Sequence, residues 1–185
     1  SLCDASNINE IIFQLDNNTV LSNISNAKER FWDVVVIDML INNNDRNEDN
    51  WGVIKYKEQN SYKLAPIYDC GNCFYGKTSE ERIKQILEDD KRLFSSAING
   101  ITAYEDDEGN AIRANQILLI DNPDLKQSIK RVKKLMNDNF DKIKNLINEI
   151  PNTYNGVDIM SENRKEYYIK TLKIRMENLL FNLNI

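Results

Sequence analysis

The sequence predicts a mainly α-helical fold with one small β-hairpin. Apolar residues recur at helical spacing through most of the chain. Residues 51–67 alone contain two short strand-like runs, with a polar turn between them. With 185 residues, of which 41% are hydrophobic, the chain is long enough to bury one sizeable core. We therefore expect a single domain spanning residues 1–185.

The predicted helices follow from the apolar spacing. In chain order they are residues 6–16, 27–41, 79–88, 91–98 (separate from the previous helix or continuing it), 111–120, 124–136, 140–150 and 161–183. Asn26 and Glu29 form a weak capping box for the second helix, and Pro123 stands at a helix start, where proline is tolerated. The second helix is apolar almost all round, which is typical of a buried helix. Residues 100–110 include four consecutive acids and predict a solvated turn.

Composition excludes several classes of function. The net charge of −5 argues against direct binding of nucleic acid or of an anionic membrane. The basic residues between Lys126 and Lys134 are therefore interpreted as a solvated helix face. The chain has no histidine, which excludes Ser-His-Asp catalysis and histidine-ligated metals. Three cysteines do not make a disulfide framework and favour a reducing cytoplasm.

One arrangement of polar residues carries recognisable chemistry. Asp45 lies in an Asn/Asp-rich loop, Asn50 follows five residues later, and Asp69 lies beyond the predicted hairpin. Phosphoryl transfer from ATP needs one group that orients the attacking hydroxyl and oxygen ligands that fix magnesium on the phosphates. This spacing matches the catalytic loop and the metal-binding aspartate of protein kinases. Asn and Asp also dominate ordinary turns, so the spacing alone leaves a purely structural loop open.

The same residues resemble a known family. Residues 31–76, with Asp45 and Asn50 spaced as D-x-x-x-x-N and with the run Ala65–Gly71 (APIYDCG), resemble the C-terminal lobe of HipA-like serine/threonine kinases. The resemblance implies that Asp45 is the catalytic base and that Asn50 and Asp69 bind Mg²⁺ and ATP. It also implies a protein substrate that offers a Ser or Thr hydroxyl. Where relatives usually have histidine this chain has Asn47, which can donate to a phosphate but carries no charge.

The nucleotide-binding N-terminal lobe of that family has no counterpart here. The residues before Asp45 contain no glycine, and Lys28 is their only lysine. We therefore expect a C-lobe without its N-terminal ATP-binding lobe, and we expect it to be inactive alone. Its partner would be a separate N-lobe or, as the family's toxins imply, an antitoxin chain. The alternative is a non-catalytic helical module, a pseudokinase or partial kinase, that binds a partner protein.

Three further motifs compete for the same region. Gly71–Thr78 satisfies the P-loop formula, and residues 117–121 resemble the strand ending in an acid that accompanies a P-loop. Bulky residues inside the loop are unusual in a P-loop, so a P-loop NTPase is the weaker alternative. Asp45–Asn50 opens like an EF-hand loop without its required glycine. Cys70 and Cys73 form a C-x-x-C pair, but with Cys3 the only other thiol they cannot complete a four-ligand zinc site.

Overall fold

The computed structural model describes residues 6–183 and is mainly helical. The helices are α1 (Ile8–Asn17), α2 (Ala27–Ile41), α3 (Glu80–Leu87), α4 (Asp90–Ile98), α5 (Ala114–Ile117), α6 (Pro123–Glu149) and α7 (Glu162–Arg175). The strands are β1 (Val53–Tyr56), β2 (Ser61–Leu64), β3 (Ile101–Glu105), β4 (Ala111–Arg113), β5 (Thr153–Tyr154) and β6 (Val157–Asp158). The strands form three antiparallel pairs, β1 with β2, β3 with β4 and β5 with β6. The predicted mainly α fold is confirmed.

Helix α2 forms the centre of the main core. Trp32, Val35 and Val36 are almost completely buried, and the helix packs against the first turns of α6 through Leu125 and Ile129. A helix that is apolar all round can only be stable when it is covered on every side, so the sequence prediction for α2 is confirmed. The predicted capping box is wrong in one respect, because the side chain of Asn26 makes no capping hydrogen bond.

The two helices predicted over residues 124–136 and 140–150 are one continuous helix, α6. Asn122 caps it by accepting hydrogen bonds from the backbone N–H groups of Asp124 and Leu125, and Pro123 occupies its first turn. The intervening residues include no glycine or proline, and Met136 and Phe140 continue the apolar face across the predicted break. Polar residues alone therefore do not end the helix.

The predicted hairpin is present, and two further strand pairs were missed. Strands β1 and β2 pair in the register Val53↔Leu64, with shorter bounds than predicted. Strands β3 and β4 flank the predicted solvated turn, which is present over residues 106–110, and β4 replaces the start of the helix predicted over residues 111–120. Asp106 builds their turn by accepting from the backbone N–H groups of Glu108 and Asn110. The β5–β6 turn uses Asn155 and Gly156 at positive φ, which suits an Asn-Gly pair.

A second, smaller core joins α3, α4 and α7. Its buried members are Ile83, Ile86, Leu93 and Tyr167. Ser161 caps α7 as predicted. The predicted final helix is interrupted, because α7 passes into a π-helix over Met176–Phe181. This second core supports the segment that follows Asp69, because Tyr75 packs on Tyr167, with ring centroids 6.3 Å apart.

Gly100, which follows α4, packs closely against the Asn-rich loop. A Cβ atom added at Gly100 would collide with Oδ1 of Asn42 and would lie 3.6 Å from the hydroxyl of Tyr75. Asn42 ends α2 in the left-handed conformation, with φ of 54°, and is itself buried. The chain therefore leaves α4 in direct contact with the first residue of the loop that carries Asp45.

Within residues 6–183, no helix combines the length and the apolar character needed to cross a membrane.

Candidate active site

Asp38, near the end of α2, shapes the Asn-rich loop. Its backbone carbonyl accepts the N–H groups of Asn42 and Asn43, and its carboxylate accepts from Nδ2 of Asn43 at 3.1 Å. These bonds satisfy the carbonyl end of the helix and turn the chain sharply. Asn43 in turn accepts from the backbone N–H of Asp45 through Oδ1, at 3.4 Å. The position of Asp45 is therefore set from α2.

Arg46 pairs with Asp38 inside the protein. Nε donates to Oδ2 at 2.8 Å and Nη2 donates to Oδ1 at 3.1 Å, with both side chains buried. The hydrogen bonds from Arg46 to the Asp38 carboxylate raise the pKa of Arg46 and outweigh the lowering effect of burial. A two-point pair of this kind fixes orientation as well as charge.

The same guanidinium group also holds the segment that contains Asp69. Nη1 of Arg46 donates to the carbonyl of Tyr68 at 2.7 Å, and Nη2 contacts Sγ of Cys70 at 3.4 Å. Tyr68 and Cys70 are the two neighbours of Asp69. The hydroxyl of Tyr68 donates to the carbonyl of Asp49 at 2.7 Å. Arg46 and Tyr68 thus join the loop of Asp45 to the segment of Asp69, although the hairpin separates them in sequence.

The structure brings the predicted site residues together to different degrees. Asn50 is buried, and its Nδ2 donates to the carbonyl of Asp45 at 2.6 Å, so these two residues are in direct contact. Asp69 is exposed and has a φ of 55°, a conformation that Asp tolerates better than most residues. Asp45 and Asn47 are also exposed. The amide oxygen of Asn47 accepts from the backbone N–H of Asp49 at 3.0 Å, within its own loop.

The donor set fits a magnesium ion shared with a phosphate ligand. Because the NH₂ group of Asn50 donates to Asp45, its amide oxygen is the atom left to meet a cation. Asp69 adds one exposed carboxylate. Among the described residues no three carboxylates or thiols gather into a metal cluster. Magnesium is commonly held in this way, by one or two protein oxygens together with phosphates and water.

Sequence reasoning missed the roles of Asp38 and Arg46. The available signal was a lone carboxylate among apolar residues near the end of a buried helix, between Val34 and Ile41. A buried charge requires a partner, and the nearest cation after Asp38 is Arg46.

The P-loop motif lacks the structural context that it requires. Gly71–Thr78 contains a short 3₁₀ turn over Cys73–Tyr75, and the named strands form no parallel sheet. Phe74 stacks on Tyr168 with ring centroids 4.9 Å apart. Residues 117–121, which resemble the strand that accompanies a P-loop, form a helix end and a turn. The P-loop interpretation therefore lacks the strand order and the open backbone that a phosphate cradle requires.

The cysteine pair also lacks redox features. Burial, followed by the nearby Cys70 thiol, raises the pKa of Cys73 to about 12, so its reactive thiolate form is suppressed at neutral pH. Cys70 and Cys73 are both free, and Cys3 lies outside the described residues.

Comparison with known proteins supports a kinase relationship. No family model matches the chain. The chain is 27% identical over 177 residues to the serine/threonine-protein kinase CtkA of Helicobacter pylori, covering 95% of this chain and 51% of that protein. It also matches the crystal structure of the H. pylori proinflammatory kinase CtkA with a TM-score of 0.84 and 26% identity, over 96% of this chain and 59% of that one.

The chain resembles the C-terminal region of a HipA/CtkA-like kinase. The resemblance predicted from residues 31–76 is thereby confirmed, and it extends over nearly the whole chain in both sequence and fold. The chain spans about half the length of the curated relative that it matches.

Proposed function

We propose that this chain is the C-terminal lobe of a serine/threonine protein kinase, which transfers the γ-phosphate of ATP to a protein hydroxyl. The nucleotide-binding lobe would be supplied by another segment or another chain. The observation that carries this proposal is the bridge made by Arg46, which holds the loop of Asp45 and Asn50 against the segment of Asp69. The similarity to CtkA supports it, and the free thiols of Cys70 and Cys73 agree with a reducing cytoplasm.

Each polar residue has a separate role in this proposal. Asp45 is exposed, so its carboxylate can orient the substrate hydroxyl and accept its proton. Asn50 and Asp69 would hold Mg²⁺ on the phosphates of ATP. The bound ion would neutralise the charge that develops on the transferred group. Asn47 would donate a hydrogen bond to a phosphate. The buried Asp38–Arg46 pair keeps these residues in place before the nucleotide arrives.

The test is a metal titration followed by NMR on the ¹⁵N-labelled chain. Mn²⁺ added with ATP should broaden the amide signals of Asn50, Asp69 and their neighbours, because a paramagnetic ion relaxes nearby nuclei. Asp69→Asn is the preferred variant, since Asn tolerates the left-handed backbone at this position. It should abolish the broadening, while Asp49→Asn in the same loop should leave it unchanged. Broadening that survives in Asp69→Asn would overturn the assigned metal site.

Turnover is tested separately. We expect little or no ATP hydrolysis or phosphotransfer from the isolated chain, because the nucleotide-binding lobe contributes much of the cleft. Adding that lobe should restore a transfer activity that Asp45→Asn abolishes. Strong kinase activity from these 185 residues alone would contradict the need for a second lobe.

A non-catalytic function as a partner-binding module is the second candidate, and one observation favours it. An apolar groove of about 260 Å³ lies between α1, α2 and the β1–β2 hairpin. Its lining includes Leu15, Phe31, Trp51 and Leu64. We propose that this groove receives the partner chain, an N-lobe or an antitoxin. If the function is only structural, Asp69→Asn will leave partner binding and every nucleotide-dependent signal unchanged.

A further inference from the structure

A second cleft, of about 500 Å³, lies beside the segment that follows Asp69. Four elements form it: α3, the first turns of α4, α7 through Tyr167, and the chain from Tyr75 to Thr78. Its floor includes Ile86 and Tyr167, both buried, and its rim carries the hydroxyl groups of Thr78 and Ser95. The cleft is distinct from the loop of Asp45 and is not used in the proposed transfer step.

The lining of this cleft is strongly basic. Arg82 comes from α3, and Lys91 and Arg92 come from the start of α4. No Asp or Glu lines the cleft in the described part of the chain. Asp89 pairs with Arg92, with 3.2 Å between Oδ2 and Nε, and Glu88 and Asp90 are further acids at the junction of α3 and α4. Within residues 6–183 neither Arg82 nor Lys91 has an ion-pair partner, so their charges remain available to a ligand.

A fourth cation, Arg175, lies behind Tyr75, which lines the cleft. Arg175 is almost completely buried, and its guanidinium group lies 5.2 Å from the ring centroid of Tyr75. Its Nε donates to the carbonyl of Ala97 at 2.9 Å and its Nη1 to the carbonyl of Leu40 at 3.1 Å. In the described structure it has no carboxylate partner, and its Nη2 has no hydrogen-bond acceptor. An arginine keeps its charge when buried, so it adds positive potential at this wall.

The combination of charge and size selects the ligand. A phosphoryl group carries almost two negative charges and three strong acceptor oxygens, which suits cations and hydroxyl donors converging from several elements. A volume of about 500 Å³ is far larger than a free phosphate ion needs and falls in the range of pockets for larger ligands. The buried side chains of Ile86 and Tyr167 add apolar surface for the rest of such a ligand.

We propose that this cleft binds a phosphorylated serine or threonine together with the peptide that flanks it. The proposal rests on the proposed function for the identity of the partner, which is then a protein substrate that already carries a phosphate. Docking there would place the substrate against the chain from Tyr75 to Thr78, which follows the segment of Asp69 in sequence.

The test is a set of NMR titrations of the ¹⁵N-labelled chain. The probes are the peptide Gly-Ala-pSer-Ala-Gly, the same peptide with Ser or with Glu in place of phosphoserine, and inorganic phosphate. We expect the phosphopeptide to shift the amide signals of Lys91, Arg92 and Ser95 in a saturable manner. The Ser peptide should produce no saturable shift. The Glu peptide and inorganic phosphate should each bind at least about tenfold more weakly than the phosphopeptide.

Charge-removing variants locate the site. Arg82→Gln and Lys91→Gln should each weaken phosphopeptide binding, and Lys91→Arg should retain it. Lys84→Gln is the matched control, because Lys84 is an exposed cation on α3 that does not line the cleft. Unchanged signals from the core residues will show that each variant is folded. If a variant fails this check, Lys91→Arg and the Ser, Glu and phosphate probes on the wild-type chain still decide the question.

Several results would overturn the proposal. The first is a phosphopeptide titration that does not saturate, and the second is equal affinity for inorganic phosphate and for the phosphopeptide. The third is phosphopeptide binding by Arg82→Gln or Lys91→Gln that equals that of the wild type. The fourth is a set of signal shifts that spreads over the basic face of α6. The result is independent of the metal site. Asp69→Asn should leave phosphopeptide binding unchanged, and Lys91→Gln should leave the Mn²⁺ broadening at Asn50 unchanged.

Discussion

Arg46 and Asp38 form a buried two-point ion pair, and the same guanidinium group reaches the carbonyl of Tyr68. One side chain therefore connects the end of α2 to both halves of the candidate active site. Burying two charges has a large desolvation cost, which the mutual hydrogen bonds offset only when both partners are present.

Removing one partner of this pair should be strongly destabilising. We expect Arg46→Met to lower the free energy of unfolding by about 3–5 kcal/mol, because it leaves the Asp38 carboxylate buried and unpaired. Urea denaturation of the wild type and the variant measures this change. The double variant Asp38→Leu/Arg46→Met should lose less stability than Arg46→Met alone, because no charge is stranded. A loss below about 1 kcal/mol for Arg46→Met would contradict the structural role assigned to the pair.

Asn50 and Asn47 offer a matched comparison within one loop. Asn50→Ala should cost about 1–3 kcal/mol of stability, because its buried amide no longer satisfies the carbonyl of Asp45. Asn47→Ala should cost less, since Asn47 is exposed and bonds only locally to Asp49 in the described contacts. Thermal and urea unfolding of both variants would check this order. Equal losses would show that the bond from Asn50 to Asp45 does not organise the loop.

The two thiols of the C-x-x-C pair should differ in reactivity. Cys70 is exposed, whereas burial raises the pKa of Cys73 to about 12, so little Cys73 thiolate exists at pH 8. We expect iodoacetamide to alkylate Cys70 well before Cys73 in the folded protein, as followed by peptide mass spectrometry. In urea the two rates should become similar. Preferential labelling of Cys73 would show that it is less protected than the structure indicates.

The Glu80–Arg164 pair should give a small, pH-dependent contribution to stability. Burial raises the pKa of Glu80, but the hydrogen bonds from Ser161 and Arg164 outweigh it, so the pKa lies below its ordinary value of 4.5. The stabilisation is then present above pH 4.5 and is lost as the pH falls through the lowered pKa. Because Glu80 is half exposed, we expect roughly 0.5 kcal/mol at most.

Urea denaturation of the wild type and Glu80→Gln at pH 7 and at pH 3 would measure this contribution. The difference in stability should shrink at the lower pH. Glu81→Gln, on the same helix and exposed, is the control and should show no comparable dependence. If the stability difference between the wild type and Glu80→Gln grew on acidification, the stabilising role assigned to the ionised Glu80 would be wrong.

Local signals predicted much of this molecule. The buried character of α2, the cap at Ser161, the helix start at Pro123 and the β1–β2 hairpin follow from residues close together in sequence, and each is confirmed. The spacing of Asp45, Asn50 and Asp69 identified the two segments that the structure places in contact. Their assigned chemistry stays a prediction.

Long-range contacts decided the features that were missed. The acidic run near Asp106 looked like a plain turn, yet Tyr104 beside it is buried and anchors β3 in the core. The bridge from Arg46 to Tyr68 depends on how the hairpin folds back, which spacing alone does not specify. Helix α6 continues through residues 137–139 because Met136 and Phe140 pack on the core, a tertiary effect that outweighs weak local preference.

The contact between Gly100 and Asn42 has a consequence for sequence tolerance. Gly100 lacks the positive φ that usually reserves a position for glycine, so its own backbone would accept other residues. What a side chain there would meet is Asn42 of the neighbouring loop, more than fifty positions earlier in the chain. In a library that randomises position 100, survival of glycine alone would therefore report selection on the loop of Asp45, not on the turn after α4.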